Sequence, residues 1–170
     1  MEIQKITPNE AYILSKIAVK TFIASHGSSA SESDIKAYIV EKYTVEQFEN
    51  ELTDPTNLYY FIRFNNQIAG FSKLVLNVPF SDQGEKHFAK LERLYLLEEF
   101  YDKKIGQALF QFNCDLAKQH FQKGIWLFVW IGNQRAIRFY DKSGFKIIGS
   151  HNFKISENHY NPNHQMLLQF

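Results

Sequence analysis

The 170-residue chain contains one cysteine, Cys114, and four prolines. A single cysteine cannot close an internal disulfide, which fits a reducing compartment. Cys114 reads as a small apolar residue buried on a helix, because nothing near it in sequence suggests an activated thiolate. Long apolar runs are also missing. None approaches the roughly 20 residues needed to cross a bilayer, and the opening MEIQKITPNEAYILSK has neither the charged-then-apolar pattern nor the small-residue cleavage site of a signal peptide. The expected location is the cytoplasm. Charge of one sign is not in excess: 19 Lys and Arg against 18 Asp and Glu leave a formal net charge of +1. With no basic field and scattered lysines, a nucleic-acid partner is not expected. His151, His159 and His164 lack a cysteine partner and tight spacing, so they read as part of a polar loop rather than as metal ligands.

Aromatic residues, by contrast, are plentiful at 16%, within a hydrophobic share of 45%. That is ample material for the core of one domain spanning residues 1–170. No repeat, linker or low-complexity segment interrupts it.

Periodicity gives the elements. Residues 2–6 alternate as a short strand. Thr7-Pro8-Asn9-Glu10 then reads as a helix start, with Thr7 as cap and proline at the first helical position. Ile13, Leu14, Ile17, Ala18 and Phe22 continue at helical spacing up to the Gly-Ser loop after His26. Residues 31–53 read as helix in two pieces, broken near Tyr43-Thr44. The runs 58–64 and 68–76, joined by Asn65-Asn66-Gln67, form a hairpin. A loop follows, and a third strand occupies 87–96. Residues 105–121 place apolar side chains on one helical face. Ile125–Ile131 is a nearly unbroken apolar run, suited to a strand covered on both faces. A short helix starts at Asn133 and stops at Ser143-Gly144. Strands at 145–153 and 165–170 close the chain, joined by a polar loop containing Pro162. The order β-α-α-β-β-β-α-β-α-β-β predicts an α/β (α+β) architecture, a central mixed sheet flanked by helices.

Two segments carry chemistry. In residues 91–109 a strand enters a loop bearing Lys103 and Lys104, which opens directly onto a helix at Ile105-Gly106. The first helical turn has unpaired N–H groups and the positive end of the dipole, a place for phosphate. Gly106 lets a ligand approach the backbone. The same segment is equally readable as strand, polar loop and amphipathic helix with nothing bound. It lacks the three glycines of the dinucleotide fingerprint and the Gly-Lys-Ser/Thr ending of the phosphate loop. In the second segment, a buried strand runs into Asn133-Gln134-Arg135-Ala136, then Phe139-Tyr140-Asp141-Lys142-Ser143-Gly144-Phe145.

Together these segments resemble the cofactor-binding core of the GNAT superfamily of N-acetyltransferases. Its first motif is a strand, a Gln/Arg-x-x-Gly-x-Gly/Ala loop and a helix. Its second is a strand, Asn-x-x-Ala, an aromatic-Tyr pair and a Gly-Phe strand start. The second is matched closely. In the first, Tyr101 stands at the Gln/Arg position, Lys104 at the first glycine, and only Gly106 is kept; Glu98 replaces the usual proline. The wording is nearest the bacterial polyamine-type branch.

The resemblance implies a GNAT-type acyl-CoA N-acyltransferase fold with a mostly antiparallel sheet, and acetyl-CoA as cosubstrate without a metal. It implies that the pantetheine arm lies along Leu94, Tyr95 and Leu96. The diphosphate would sit on N–H groups from Lys103 through Lys104, Ile105, Gly106 and Gln107 to Ala108, with Tyr101 at the loop's head and Asn133 on the pantetheine arm. Lys142 is either a contact to the cofactor's phosphates or solvated. Tyr140 is the implied acid for the departing sulfur, with a packed aromatic as the alternative. Glu92 is the candidate base for the attacking amine, with a structural salt bridge as the alternative. His26 is a candidate for the acceptor pocket.

The expected activity is transfer of the acetyl group to a small primary amine such as a polyamine. A protein N-terminal or lysine acetyltransferase and a non-catalytic acetyl-CoA sensor are the alternatives. Acceptor choice is expected to reside in residues 22–55 and the loops 77–87 and 151–164. Glu32, Asp34, Glu41, Glu46 and Glu49 either favour a cationic acceptor or are solvated helix faces. The protein is expected as a monomer or homodimer.

Overall fold

A computed structural model describes residues 1–81, 84 and 86–170. Strand β1 (Glu2–Lys5) leads through a 3-10 turn at Pro8–Glu10 to α1 (Ala11–His26), α2 (Glu32–Lys42) and α3 (Val45–Thr53). Strands β2 (Asn57–Phe64), β3 (Gln67–Val75) and β4 (Ala89–Leu96) follow. Then come α4 (Ile105–Gln119), β5 (Gly124–Trp130), α5 (Gln134–Lys142), β6 (Lys146–Ser156) and β7 (His159–Gln169). The seven strands form one sheet in the order β1-β2-β3-β4-β5-β7-β6. Every neighbouring pair is antiparallel except β4 with β5. This is the expected mixed, mostly antiparallel sheet flanked by helices.

Local chemistry sets the element ends. Thr7 and Glu10 form a reciprocal capping box. Ser31 and Thr44 cap α2 and α3 by accepting from Asp34 N and Gln47 N, which makes the break at Tyr43-Thr44 a genuine helix end. Asn65 and Asn66 both take positive φ, 48° and 61°. That is the two-residue turn whose twist matches the strands of a hairpin.

Alternation along β2 divides the core in two. Tyr59 and Phe61 pack with Phe71 against Ala11, Leu14, Ala18 and Phe22 of α1 and Phe48 of α3. Leu58 points the other way, with Leu74, Leu91 and Ile125, onto Phe110, Cys114 and Ala117 of α4. Phe61 and Phe71 are fully buried, and burial of each phenyl ring contributes about 2–3 kcal/mol. Burial pushes the Cys114 thiol up to about 11, so it is the inert apolar residue expected of it.

The final strands differ from expectation. Residues 151–164 are not a loop: β6 and β7 are 11 residues each and pair from Lys146–Leu167 to Ser156–His159. Polar side chains hid the strands because β6 is the sheet's outer strand, mostly solvated. Pro162 lies inside β7, where the ladder to β5 has not yet begun; that ladder starts at Trp130–Asn163. Its missing N–H therefore costs no inter-strand bond on that side. His151 stacks on Phe128 at 5.0 Å, and His159 Nε2 lies 2.7 Å from the Ser29 carbonyl. Of the loop 77–87, Asp82, Gln83 and Glu85 lie outside the described residues.

Candidate active site

The site begins with an irregularity in β4. Lys73 of β3 pairs with Arg93 and Leu74 with Leu91, leaving Glu92 as an extra residue. Such a bulge bends its strand and re-aims side chains: Glu92 and Arg93 both reach the α1–α3 side of the sheet. Beyond it β4 parts from β5. Their parallel ladder holds only Ala89–Ile125 and Lys90–Trp126, whereas β4 stays paired to β3 as far as Leu96. From Leu91 to Leu96, then, the β5-facing backbone edge of β4 has no strand against it. The gap opens as a cleft of about 500 Å³.

Helix α4 begins at the mouth of this cleft. Its N-cap, Lys104, makes no side-chain cap and takes a left-handed conformation, φ 59°. Asp102, two residues earlier, is also left-handed, φ 61°. Alternation of this kind turns successive N–H groups inward as an anion-binding concavity, and the first-turn N–H groups of α4 have no partner within the helix. It also accounts for the glycine that the resembled motif carries where this chain has Lys104, since left-handed backbone suits glycine. At Gly106 a Cβ would meet only Leu96 Cδ1, at 3.4 Å. The fold itself therefore has space there, and the open side belongs to the cleft.

Side chains of this segment are distributed unevenly. Tyr101 and Gly106 line the cleft. Lys103 folds its ammonium back over Phe64 and Phe100, at 5.7 and 5.2 Å. Ile105 is fully buried, Ala108 packs in the core, and Lys104 and Gln107 are exposed. From Lys103 to Gln107 the main chain is what can meet a ligand, beside the exposed Lys104 charge; the Ala108 N–H, expected in the same cradle, is instead given to the Lys104 carbonyl at 3.1 Å. Tyr101 has a partner that sequence did not reveal: the Arg135 guanidinium lies 3.4 Å from its ring centroid and 3.4 Å from the Asp102 carboxylate. This stack bridges the loop before α4 and the start of α5.

Leu94, Tyr95, Leu96, Asn133 and Tyr140 all line the cleft. Asn133 caps α5 by accepting from Ala136 N at 3.1 Å, which leaves its amide N–H₂ for a ligand. Tyr140 is 8% exposed and its ring packs against Phe139 and Phe145. Burial, with a smaller effect of Tyr95, pushes its phenol well up, so it stays protonated and can donate. Lys142 is exposed in the last turn of α5, outside the cleft.

A second cleft of about 250 Å³ opens on the α1–α3 side of β4, lined by Phe22, Tyr38, Tyr43, Tyr95, Phe128 and Phe153 among others. Glu92 lines both clefts. Its carboxylate meets Lys73 Nζ at 2.8 Å and Lys90 Nζ at 3.7 Å. Burial raises its pKa, but Lys73, Lys90 and Arg93 outweigh this and hold it below the usual carboxylate range. Lys73, 7% exposed, also binds Glu51 at 2.7 Å. Arg93 donates to the Tyr59 hydroxyl at 2.6 Å and lies over Phe48 and Tyr43. Glu32, Asp34, Glu41, Glu46 and Glu49 line neither cleft; Glu32 and Glu41 pair with Lys36 and Lys42. Glu32, Glu41, Glu46 and Glu49 are exposed on helix faces, and Asp34 is half-buried against its cap Ser31.

His26, at the end of α1, also lines both clefts. Its ring stacks on Phe22 at 5.0 Å and lies 5.9 Å from Trp130. Burial lowers its pKa to about 4. Among the described residues no group of three or more His, Cys, Asp or Glu could hold a metal, and no helix is long and apolar enough to cross a membrane.

Known proteins place this geometry. The chain is 29% identical over 154 residues to a spermidine N(1)-acetyltransferase of Thermoplasma acidophilum, covering 86% of this chain and 89% of that one. It is 24% identical over 141 residues to an uncharacterized N-acetyltransferase of Lactobacillus delbrueckii subsp. lactis, covering 83% and 82%. The crystal structure of PaiA N-acetyltransferase from Thermoplasma acidophilum in complex with coenzyme A has a similar fold, with a TM-score of 0.81, 24% identity and coverage of 99% and 98%. A model of the Acetyltransferase (GNAT) family matches residues 26–145. The chain belongs to that family and is an N-acetyltransferase that uses acetyl-CoA as its cosubstrate.

Proposed function

We propose that the chain transfers the acetyl group of acetyl-CoA directly to a small primary amine, with the two clefts holding the two substrates. The observation that carries this reading is the early end of the β4–β5 ladder, which exposes strand backbone beside a helix N-terminus. An amide-containing pantetheine arm can pair with the free edge at Leu94, Tyr95 and Leu96, and with Asn133. A diphosphate can take the N–H groups from Lys103 to Gln107. The thioester supplies the activated acetyl group. Its carbonyl oxygen is served by backbone N–H near Leu96, where preoriented donors stabilise developing negative charge. Tyr140 gives its proton to the departing thiolate. Tyr101 with Arg135 closes the mouth over the diphosphate. Lys142 acts at most on the cofactor's far end.

Glu92 has an electrostatic part in this reading. A carboxylate held ionised by Lys73 and Lys90 is a poor base, but it can hold a water or ammonium where the clefts meet. The acceptor class has two supports that point apart. The Thermoplasma relative is named for spermidine, which favours a polyamine. Among the described residues, however, the charges lining the second cleft are Lys90, Glu92 and Arg93, two cations and one anion. That surplus favours an amine that also carries an anionic group. A thiol-release assay with spermidine, 1,3-diaminopropane, amino acids and short peptides decides between them. No thiol release with any amine, together with intact acetyl-CoA binding, would leave a sensor instead of an enzyme.

A further inference from the structure

His26, which lines both clefts, has a hydrogen-bond partner that can set its tautomer. Ser25 Oγ lies 2.7 Å from His26 Nδ1. The same hydroxyl donates to the Thr21 carbonyl at 2.8 Å, with the Phe22 carbonyl at 3.3 Å. A hydroxyl has one proton. The Thr21 and Phe22 carbonyls can only accept, so a hydroxyl proton turned to them makes Ser25 Oγ the acceptor of an Nδ1–H and puts the imidazole lone pair on Nε2. Stacking on Phe22 and the edge contact with Tyr95, at 6.2 Å, fix the ring plane.

We propose that His26 Nε2 accepts the proton of the attacking amine, a catalytic role resting on the transferase reading above. Glu92, a carboxylate that also lines both clefts, is already occupied by Lys73 and Lys90. The amine nitrogen's lone pair forms the C–N bond to the acetyl carbon, and the carbonyl π pair moves to oxygen. The N–H proton moves to Nε2, giving an imidazolium. The oxygen pair re-forms the carbonyl, the C–S bond breaks with its pair on sulfur, and the thiolate takes the Tyr140 proton. Exchange of the imidazolium proton through solvent back to Tyr140 resets both groups. Burial keeps the resting imidazole neutral at pH 7, so the lone pair is present before the amine arrives. Bonding to the carbonyl carbon makes the nitrogen more acidic than a free ammonium, and Nε2 does not share the Lys73 and Lys90 contacts that hold the Glu92 carboxylate.

The test has two arms. Nitrogen NMR of ¹⁵N-histidine-labelled protein without substrate reads the tautomer; Nδ1 protonated and Nε2 bare is expected, and a protonated Nε2 would overturn the proposal. The second arm compares wild type with His26→Gln, whose amide oxygen can accept a hydrogen bond but not a proton, and with His26→Ala. Calorimetry measures acetyl-CoA affinity and thiol release measures turnover, with spermidine and glycylglycine as probes. Affinity within twofold, turnover lower by about 100-fold or more, and partial recovery of His26→Ala by free imidazole are expected. Turnover of His26→Gln within threefold of wild type refutes the role. Failure of wild type to bind acetyl-CoA at all would sink the transferase reading, while the tautomer measurement still judges His26.

Discussion

Replacing Gly106 separates what the fold needs from what the ligand needs. A Cβ at this position meets one atom, Leu96 Cδ1 at 3.4 Å, at the end of a side chain that can yield. Gly106 also sits in the first turn of α4, where glycine is a poor helix former by about 0.5–1 kcal/mol relative to alanine. Gly106→Ala therefore leaves the fold intact and raises stability by up to about 1 kcal/mol, or roughly 2–4 °C in Tm for a chain of this size. Gly106→Val adds two γ-carbons. With Leu96 on one side, they project toward the space assigned to the diphosphate. Loss of one charge-assisted hydrogen bond costs about 1.5–3 kcal/mol, so acetyl-CoA affinity falls by at least about tenfold. Thermal melts of both variants and calorimetric titration with acetyl-CoA check the two halves. Gly106→Val binding within twofold of wild type would refute the cradle.

Other perturbations test neighbouring parts of the account. Tyr140→Phe keeps the ring packed on Phe139 and Phe145; turnover drops by roughly 10²–10⁴-fold with acetyl-CoA affinity unchanged, and unaltered steady-state turnover would remove the acid role. Lys104→Gly relieves a left-handed conformation worth about 1–2 kcal/mol, partly offset by glycine's looser unfolded chain; a Tm rise of a few degrees with acetyl-CoA affinity retained is expected, and a tenfold affinity loss would show that the lysine charge matters. Lys73→Met leaves Glu51 and Glu92 without their shared buried partner and destabilises by about 3–5 kcal/mol in urea unfolding. In the wild type, burial raises both glutamates but Arg93 and Lys73 more than compensate, so their folded pKa values lie below the ordinary 4.5. Their stabilisation is therefore present above about pH 4.5 and is lost as pH falls through the lower folded values; stability that stays flat through that window would contradict it.

Much of the first cleft's lining was legible because it is local in sequence. A strand, a loop and a helix start lie within residues 91–109, and Asn133 caps α5 three residues from its partner. The rest was hidden for stated physical reasons. The Tyr101–Arg135 stack joins residues on separate elements, and no spacing rule links them. The bulge at Glu92 leaves no compositional mark. Lys73 reads as an ordinary strand lysine until α3 brings Glu51 beneath it. His26 follows an apolar helix and precedes a Gly-Ser loop, so only the packing of α1 over the parted strands shows that it touches both clefts. Polar β6 and the start of β7 imitate a loop, because a strand at the sheet edge needs few apolar residues.

The central claim is that main-chain donors at the start of α4 hold the diphosphate of acetyl-CoA. Calorimetric titration of the protein with acetyl-CoA, set beside acetyl-pantetheine, which keeps the thioester arm but lacks the diphosphate, tests it most directly. Saturable binding of acetyl-CoA and at least about a hundredfold weaker binding of acetyl-pantetheine, or about 2.7 kcal/mol, is the predicted result. Equal affinity for the two, or no saturable heat with acetyl-CoA at millimolar concentration, would contradict it.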